Sequence, residues 1–152
     1  MHQLSDSPEI LFLRGYKEAI MHFNMLDRNF AYCLRGASSS AGSEANLLTV
    51  LSYPYEKKLK MVGSLIRERG RESEYSEFLR LAERCRTLRN KLVHGHWEFV
   101  PRLPKPIRFQ VPAPFEEEGY LTQDEFSAQI ALCRRTNSLF GELQGKHPIA
   151  HA

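Results

Sequence analysis

The most informative stretch of the chain is residues 75–95, which read YSEFLRLAERCRTLRNKLVHG. Apolar side chains recur there at steps of three and four residues: Tyr75, Phe78, Ala82, Cys85, Leu88 and Leu92. This spacing places them on one face of an α-helix. Gly95 follows the pattern directly, and we expect it to end the helix in the left-handed conformation.

A second long helix is predicted near the start of the chain, over residues 8–35. Ser7 is a suitable N-cap, Pro8 fits the first helical position, and Gly36 is expected to stop the helix. Its predicted apolar face consists of Leu13, Tyr16, Ile20, Phe23, Phe30 and Leu34. The following residues, 36–42, have the composition of a flexible loop.

Between these two helices the pattern predicts a short helix over residues 44–51 and then a third long one. Ser52 is expected to cap the long helix and Gly70 to end it. Its apolar face consists of Tyr55, Leu59, Val62 and Ile66.

The helical period disappears over residues 96–120, which contain five of the eight prolines. Apolar residues alternate there at period two, so a small β-hairpin or an extended flap is predicted. The last helix should begin at Thr122, which forms a capping box with Glu125. Its apolar face consists of Phe126, Ile130, Cys133, Phe140 and Leu143. The tail, residues 146–152, is expected to fray.

One-sided helices of this kind bury their apolar faces by packing together. We therefore predict an all-α fold, a four- to five-helix up-and-down bundle with the hairpin or flap before the last helix. Residues 1–152 form one domain, with a core over about residues 8–145.

The composition indicates a soluble protein of a reducing compartment, and the cytoplasm is the predicted location. The apolar runs are far shorter than the ~20 residues that span a bilayer, and the N-terminus has no signal-peptide pattern. The three cysteines, Cys33, Cys85 and Cys133, are far apart and fall on apolar helix faces, so we expect small buried side chains. No membrane partner is predicted.

Basic residues cluster at the end of the helix in residues 75–95. The net charge of the chain is only +3, which by itself does not indicate a polyanion partner. The segment from Arg84 to Lys91, however, has four basic residues and no acidic one. With ~100° per residue, Arg89 projects about 40° from the centre of the apolar face at Cys85. A guanidinium there needs an anion, a set of carbonyl groups or a second subunit.

Asn90 and His94 lie on the opposite side of the same helix, four residues apart, where they can meet or hold one ligand. The run from Arg89 to His94 resembles the hallmark of the HEPN superfamily, an Arg-polar-x3–5-His motif at the end of a helix in a four- to five-helix bundle. The form found here is common in bacterial abortive-infection and toxin-like members. The resemblance covers most of residues 8–145 in the order of elements, and residues 85–97 in the motif itself.

The resemblance implies a metal-independent endoribonuclease that acts as a homodimer, with two motifs facing each other. Its catalytic residues would be Arg89, Asn90 and His94, with no cofactor and no metal. Further substrate contacts are expected from Arg86, Lys91, His96 and Trp97. RNA is the expected substrate, and a protein antitoxin or regulator is a further expected partner.

The chemistry suits these residue types. Attack of a ribose 2′-OH on its own phosphate needs a base, an acid and a cation, and leaves a 2′,3′-cyclic phosphate. Two histidines can supply the first two near neutral pH. The motif has one histidine in each chain, so a two-fold dimer would supply the pair. The guanidinium of Arg89 suits the phosphate oxygens, and Asn90 can orient His94 or bind the substrate.

Other interpretations remain open at this stage. Arg89 could bind a carboxylate of the first helix, Glu18 or Asp27, with His94 acting as a helix C-cap. The domain could also be a catalytically inactive dimeric module that binds RNA or a protein. His94 and His96 have the H-x-H spacing of some metal sites, but no further ligand cluster accompanies them. Trp97 either stacks on a nucleobase or covers the core, and Glu116–Glu118 is read as a solvated loop.

Overall fold

The computed structural model describes residues 6–40 and 47–150, which form a mainly helical protein with a small antiparallel sheet. The helices in these residues are α1 (Pro8–Ser40), α2 (Leu47–Ser52), α3 (Tyr55–Glu68), α4 (Glu72–His94) and α5 (Gln123–Lys146). The strands are β1 (His96–Phe99), β2 (Ile107–Val111) and β3 (Glu117–Leu121). A predominantly helical fold, with the sheet before the last helix, is therefore confirmed.

The first helix begins where the sequence predicts but continues past Gly36. The Oγ of Ser7 accepts a hydrogen bond from the backbone N of Ile10 at 3.3 Å. A glycine costs an exposed helix only about 1 kcal/mol. Here the side chains of Leu34 and Ala37 pack on the core on both sides of Gly36, so the helix runs on to Ser40. The predicted loop is thus wrong over residues 36–40, and its remainder lies outside the described residues.

The buried face of α1 is shifted from the predicted one. Leu13 is 57% exposed, and Tyr16 and Ile20 are half-buried, whereas Phe23, Phe30 and Leu34 are buried as predicted. The face that packs on the core consists of Phe12, Ala19, Phe23, Leu26 and Phe30. Apolar residues on α1 occur on more than one side, so the pattern alone did not select the inner side.

The start of α3 differs from the prediction at Ser52. Ser52 is the last residue of α2, and its Oγ donates a hydrogen bond to the carbonyl oxygen of Thr49 at 2.5 Å. The N-cap of α3 is Pro54, whose φ of −57° is already close to the helical value. The end of α3 is as predicted, because Gly70 has a φ of +67° and so takes the left-handed conformation. The short helix α2 is present from Leu47, and residues 44–46 lie outside the described part of the chain.

The apolar faces predicted for α3, α4 and α5 are all buried. The capping box of α5 is also confirmed. The backbone N of Glu125 donates to Thr122 Oγ1 at 3.0 Å, and the backbone N of Thr122 donates to Glu125 Oε2 at 3.0 Å. Cys33, Cys85 and Cys133 are buried free cysteines, as expected.

The segment before α5 contains the predicted hairpin and an additional strand. Strands β1 and β2 pair with Trp97 opposite Phe109, and β2 also pairs with β3, so the order is β1-β2-β3. The sequence of β3, Glu117–Leu121, has no apolar alternation, and this explains why the strand was not predicted. Edge strands of this kind form because β2 offers unpaired backbone groups.

The expected fraying of the tail is wrong for residues 147–150. Ile149 is fully buried, and its carbonyl oxygen accepts a hydrogen bond from Arg69 Nε at 3.1 Å. The hydroxyl of Tyr75 donates to the carbonyl oxygen of His147 at 2.8 Å. These contacts attach residues 147–149 to Arg69, after α3, and to Tyr75 of α4. Residues 151–152 lie outside the described part of the chain.

The core has two parts, one at each end of α1 and α4. The part that matters for the site is built from the first half of α1, the end of α4, the start of α5 and the sheet. Its buried members are Phe12, Ala19, Phe23, Cys85, Leu88, Leu92, Ile107, Phe126, Ile130 and Cys133. None of the helices in the described residues is both long and apolar enough to cross a membrane.

Candidate functional site

The candidate site lies at the C-terminal end of α4, where the last carbonyl groups are bound by aromatic side chains and backbone. The carbonyl oxygen of Lys91 accepts hydrogen bonds from the backbone N of Gly95 at 2.8 Å and from Trp97 Nε1 at 2.9 Å. The carbonyl oxygen of Leu92 accepts one from the hydroxyl of Tyr16 at 2.7 Å. This satisfies orphan acceptors of the helix end without the imidazole of His94. The interpretation of His94 as a C-cap is therefore not supported.

Gly95 ends α4 in an unexpected way. Its φ of −85° and ψ of 159° are extended, so the predicted left-handed conformation is wrong. A glycine is nevertheless required by the close approach of its neighbours. A Cβ atom at this position would lie 2.3 Å from the carbonyl oxygen of Lys91 and 3.0 Å from Trp97 Nε1. The chain thus turns directly from α4 into β1, which places His94 and His96 on either side of the turn.

His94 and His96 open into one groove of about 630 Å³. Its other walls come from the sheet and from the segment that joins β2 to β3, with Gln110, Val111, Pro112 and Glu116–Glu118. Both histidine side chains are exposed. The ring of Phe115 stacks on the imidazole of His94, with 5.5 Å between ring centroids and 20° between planes. A single chain therefore brings two imidazoles to one groove.

Arg89 lies elsewhere on α4, half-buried, with its guanidinium carbon 5.3 Å from the ring centroid of Tyr55. Among the described residues it binds neither Glu18 nor Asp27. Glu18 is bound by Arg134, and Asp27 by Lys58 at 2.8 Å, so both carboxylates proposed as partners are occupied. The ion pair of Arg89 with Glu18 or Asp27, which the sequence left open, is therefore not formed.

The surroundings of Arg89 include an unusual hydroxyl. Tyr55 is buried, and its Oη has no hydrogen-bond partner within the described residues. Burial raises the pKa of Tyr55 well above its ordinary value, and the nearby positive charge of Arg89 offsets part of this effect. Arg89 is therefore held mainly by contact with an aromatic ring, as guanidinium groups often are.

The side chain of Asn90 is half-buried. Within residues 6–40 and 47–150, no hydrogen bond joins Asn90 to His94, although they are four residues apart. Neither Arg89 nor Asn90 lines the groove that these residues form around His94. Within one chain, the guanidinium of Arg89 and the amide of Asn90 therefore lie outside the groove that contains the imidazole of His94.

The four residues predicted to contact the substrate have different surroundings. His96 lines the groove, as described above. Lys91 forms an ion pair with Glu117, with 2.8 Å between Nζ and Oε1. Arg86 Nε donates a hydrogen bond to Glu83 Oε1 at 2.8 Å, and this bond raises the pKa of Arg86. Only His96, of these three, has no charged partner among the described residues.

Trp97 covers the core. Its ring stacks on Phe109 with 5.0 Å between centroids and tilts against Phe126 at 5.7 Å. With one face occupied and Nε1 bound to Lys91, the indole acts as a structural element at the end of α4. The sequence left open whether Trp97 stacks on a nucleobase or covers the core, and this packing agrees with the second alternative.

The positions of Phe115 and Glu117 at the site are not predicted by the sequence. The three consecutive glutamates are predicted to form a solvated loop, but Glu117 begins β3 and binds Lys91. Phe115 is separated from His94 by twenty residues, and no periodicity relates them. Only the pairing of β2 with β3 brings this segment to the end of α4.

No family model matches the chain, and neither the curated proteins nor the solved structures gave a match. Within the described residues, no group of three or more His, Cys, Asp or Glu side chains is arranged to hold a metal ion. The site must therefore be interpreted from its own geometry, which joins two exposed imidazoles, a lysine and an acidic rim.

Proposed function

We propose that the protein is a metal-independent endoribonuclease with a HEPN-like up-and-down helical bundle, acting as a cytoplasmic homodimer. The observation that carries this proposal is the shared groove of His94 and His96 at the end of α4. An imidazole can act as base or acid near neutral pH, depending on its protonation. Two of them in one groove can remove the proton from a ribose 2′-OH and protonate the leaving 5′ oxygen.

In this mechanism the attacking 2′ oxygen forms a bond to phosphorus while the bond to the 5′ oxygen breaks. The products are a 2′,3′-cyclic phosphate and a 5′-hydroxyl end. Negative charge develops on the phosphorane, and a cation close to it would lower the barrier. In the same chain, Lys91 forms an ion pair with Glu117, which lines the groove. In a two-fold dimer the second copy of α4 would bring Arg89 and Asn90 to this position.

The exposure of the last turn of α4 supports the dimer. Val93 is 49% exposed and lies between the motif residues Asn90 and His94. A two-fold interface around this turn would bury Val93 against its equivalent in the partner. It would also make the site composite, with groups from both chains. The biological role that fits such an enzyme is that of a toxin or phage-defence effector, held in check by an antitoxin or regulator.

A second function, the inactive interaction module, is favoured by the position of Arg89. In one chain the guanidinium packs on Tyr55 and three glutamates face the groove instead. A module of this kind would bind RNA or a protein without cutting it. The two functions differ in one measurable respect, which is whether RNA ends are produced.

The test is an RNA cleavage assay with purified full-length protein. We expect cleavage of single-stranded RNA in excess EDTA, 2′,3′-cyclic phosphate ends, and no cleavage of DNA of the same sequence. His94→Ala should lower the rate by about 10²–10⁴-fold. His147→Ala is the matched control, because His147 follows α5 and is bound to Tyr75 at the opposite end of α4.

Two results would refute the proposed activity. Loss of cleavage in EDTA, or equal cleavage of DNA, would assign a different mechanism. RNA binding without cleavage by the wild type, across varied sequences, would support the interaction module instead.

A further inference from the structure

The side chains of Phe115, in the β2–β3 connection, and Glu117, at the start of β3, contact residues of the candidate site. The ring of Phe115 stacks on His94, with 5.5 Å between centroids. Two residues later, the carboxylate of Glu117 binds Lys91 Nζ at 2.8 Å. We call residues 112–118 the acidic turn. It therefore contacts both an imidazole and an ammonium group of the site at once.

These two contacts have the chemistry of a nucleotide. Unpaired RNA bases stack on the flat faces of aromatic and histidine side chains, and Phe115 occupies such a face of His94. Phosphate oxygens bind lysine ammonium groups through charge-assisted hydrogen bonds, and the carboxylate of Glu117 occupies Lys91 in the same way. The ring of Phe115 and the carboxylate of Glu117 thus lie where a base and its neighbouring phosphate would bind.

The charge of the acidic turn opposes RNA entry further. Glu116 and Glu118 line the same groove as His94 and His96. A phosphate that entered this groove would approach these carboxylates, while Lys91 is already neutralised by Glu117. Like charges at close range disfavour binding. In this arrangement the groove is poorly suited to a polyanion.

The Lys91–Glu117 ion pair also separates two grooves. Glu117 lines the groove of His94, and Lys91 lines a second groove of about 230 Å³ between α4 and α5. The second groove also contains Arg84, Thr87 and Gln129. With Glu117 displaced, Lys91 and Arg84 would offer two positive charges in the second groove. Positive charges along a groove bind a nucleic-acid backbone.

The side-chain contacts that Phe115 and Glu117 make with the site are weak enough to be displaced. Phe115 is 46% exposed, and the side chains of the Lys91–Glu117 pair are 24% and 45% exposed. An exposed ion pair and an exposed ring contact each contribute no more than about tenfold to an equilibrium constant. The side chains of Phe115 and Glu117 can therefore move off the site while the β2–β3 pairing remains.

We propose that the acidic turn is an autoinhibitory element that occupies the RNA site as a nucleotide mimic. This inference rests on the proposed function and concerns the regulation of that same site. Displacement of Phe115 and Glu117 exposes the face of His94 and the ammonium group of Lys91, and it admits single-stranded RNA.

The experiment compares wild type with the double variant Phe115→Ala/Glu117→Gln in the full chain. The probe is fluorescein-labelled single-stranded oligoadenylate, and affinity is measured by fluorescence anisotropy. The Kd is expected to fall by about 10- to 100-fold, the combined effect of two contacts of this kind. Cleavage at low RNA concentration should rise by the same factor.

The matched control is Glu142→Gln/Tyr32→Ala. It removes one exposed carboxylate of α5 and one exposed aromatic ring of α1, and neither residue lines the groove of His94 or that of Lys91. Its Kd should stay within about threefold of wild type, since only a general charge effect remains. An equal gain in the control would overturn the inference, because the specific contacts would then be irrelevant.

The outcomes separate the inference from the proposed function. Wild type that cleaves RNA, with a double variant that binds and cleaves no better, would refute autoinhibition and leave the ribonuclease intact. Tighter binding by the double variant, with no cleavage by any form, would support the mimic and refute the ribonuclease. Absence of both binding and cleavage in every variant would refute both.

Discussion

The indole Nε1 of Trp97 donates a hydrogen bond to the carbonyl oxygen of Lys91 at 2.9 Å. This bond joins the first strand to the last turn of α4, across the tight connection at Gly95. The same carbonyl oxygen accepts the backbone N of Gly95 at 2.8 Å. Together the two bonds fix the positions of His94 and His96 relative to one another. The relative position of the two histidines therefore depends in part on Trp97 and Lys91, which do not line the groove.

Substitution of Trp97 should reduce stability in two distinguishable steps. Trp97→Phe keeps a ring against Phe109 but loses the hydrogen bond, so it should lower the free energy of unfolding by about 1 kcal/mol. Trp97→Ala also removes the packing and should cost about 3–5 kcal/mol. Urea unfolding followed by circular dichroism measures both. Equal stability of wild type and Trp97→Ala would show that the indole does not hold this end of α4.

Gly95 and Gly141 form a matched pair of glycines. Gly95→Ala should destabilise the protein by about 2 kcal/mol or more, because its Cβ would lie 2.3 Å from the carbonyl oxygen of Lys91. Gly141 lies in α5 with nothing within 4 Å of an added Cβ. Gly141→Ala should therefore stabilise the protein by about 0.5–1 kcal/mol. Thermal unfolding of both variants tests the prediction, and a neutral Gly95→Ala would contradict the close approach.

Glu18 should contribute to loss of stability in acid. A hydrogen bond from Arg134 lowers the pKa of Glu18 below its ordinary value of 4.5. A carboxylate with a lowered pKa in the folded state stabilises the fold above its unfolded pKa, and this stabilisation is lost as pH falls through the folded pKa. The side chain is 34% exposed, so the effect should be below about 1 kcal/mol.

The measurement is the free energy of unfolding between about pH 5 and pH 3. Wild type should lose more stability over this range than Glu18→Gln does. Arg134→Gln should reduce the acid sensitivity by a similar amount, because it removes the same bond. Parallel curves for wild type and Glu18→Gln would contradict the assignment.

Arg89 and Tyr55 should show whether the guanidinium has a structural role. Arg89→Ala is expected to cost about 1–2 kcal/mol of stability through the lost contact with the Tyr55 ring. Tyr55→Phe keeps the ring and removes an unpaired buried hydroxyl, so it should leave stability unchanged or slightly higher. A ribonuclease would lose most activity in Arg89→Ala and retain it in Tyr55→Phe. Full activity in Arg89→Ala would remove Arg89 from the catalytic proposal.

The assembly state can be tested at Val93. Light scattering of wild type should give twice the 17.6 kDa chain mass. Val93→Asp should reduce the mass to that of one chain, because a dimer around the end of α4 would bury this side chain and its charge. Leu103→Asp is the control, since Leu103 is similarly exposed but lies in the β1–β2 loop. A monomeric wild type would remove the composite site from the proposal.

The sequence by itself determined the helical elements and most of their inner faces. Apolar residues at steps of three and four fix which side of α3, α4 and α5 is buried, because helix geometry repeats every 3.6 residues. Local chemistry was equally decisive at Thr122 and Gly70, where a capping box and a left-handed glycine depend only on neighbouring residues. The motif from Arg89 to His94 was visible for the same reason.

Only the tertiary structure decided what surrounds that motif. Strand β3 exists because β2 provides it with backbone partners, and its pairing brings Phe115 and Glu117 to His94 and Lys91. Gly95 is extended because Trp97 approaches the end of α4, and α1 passes Gly36 because Leu34 and Ala37 pack on the core. These contacts join residues distant in the chain, and their free energies depend on packing that no local pattern encodes.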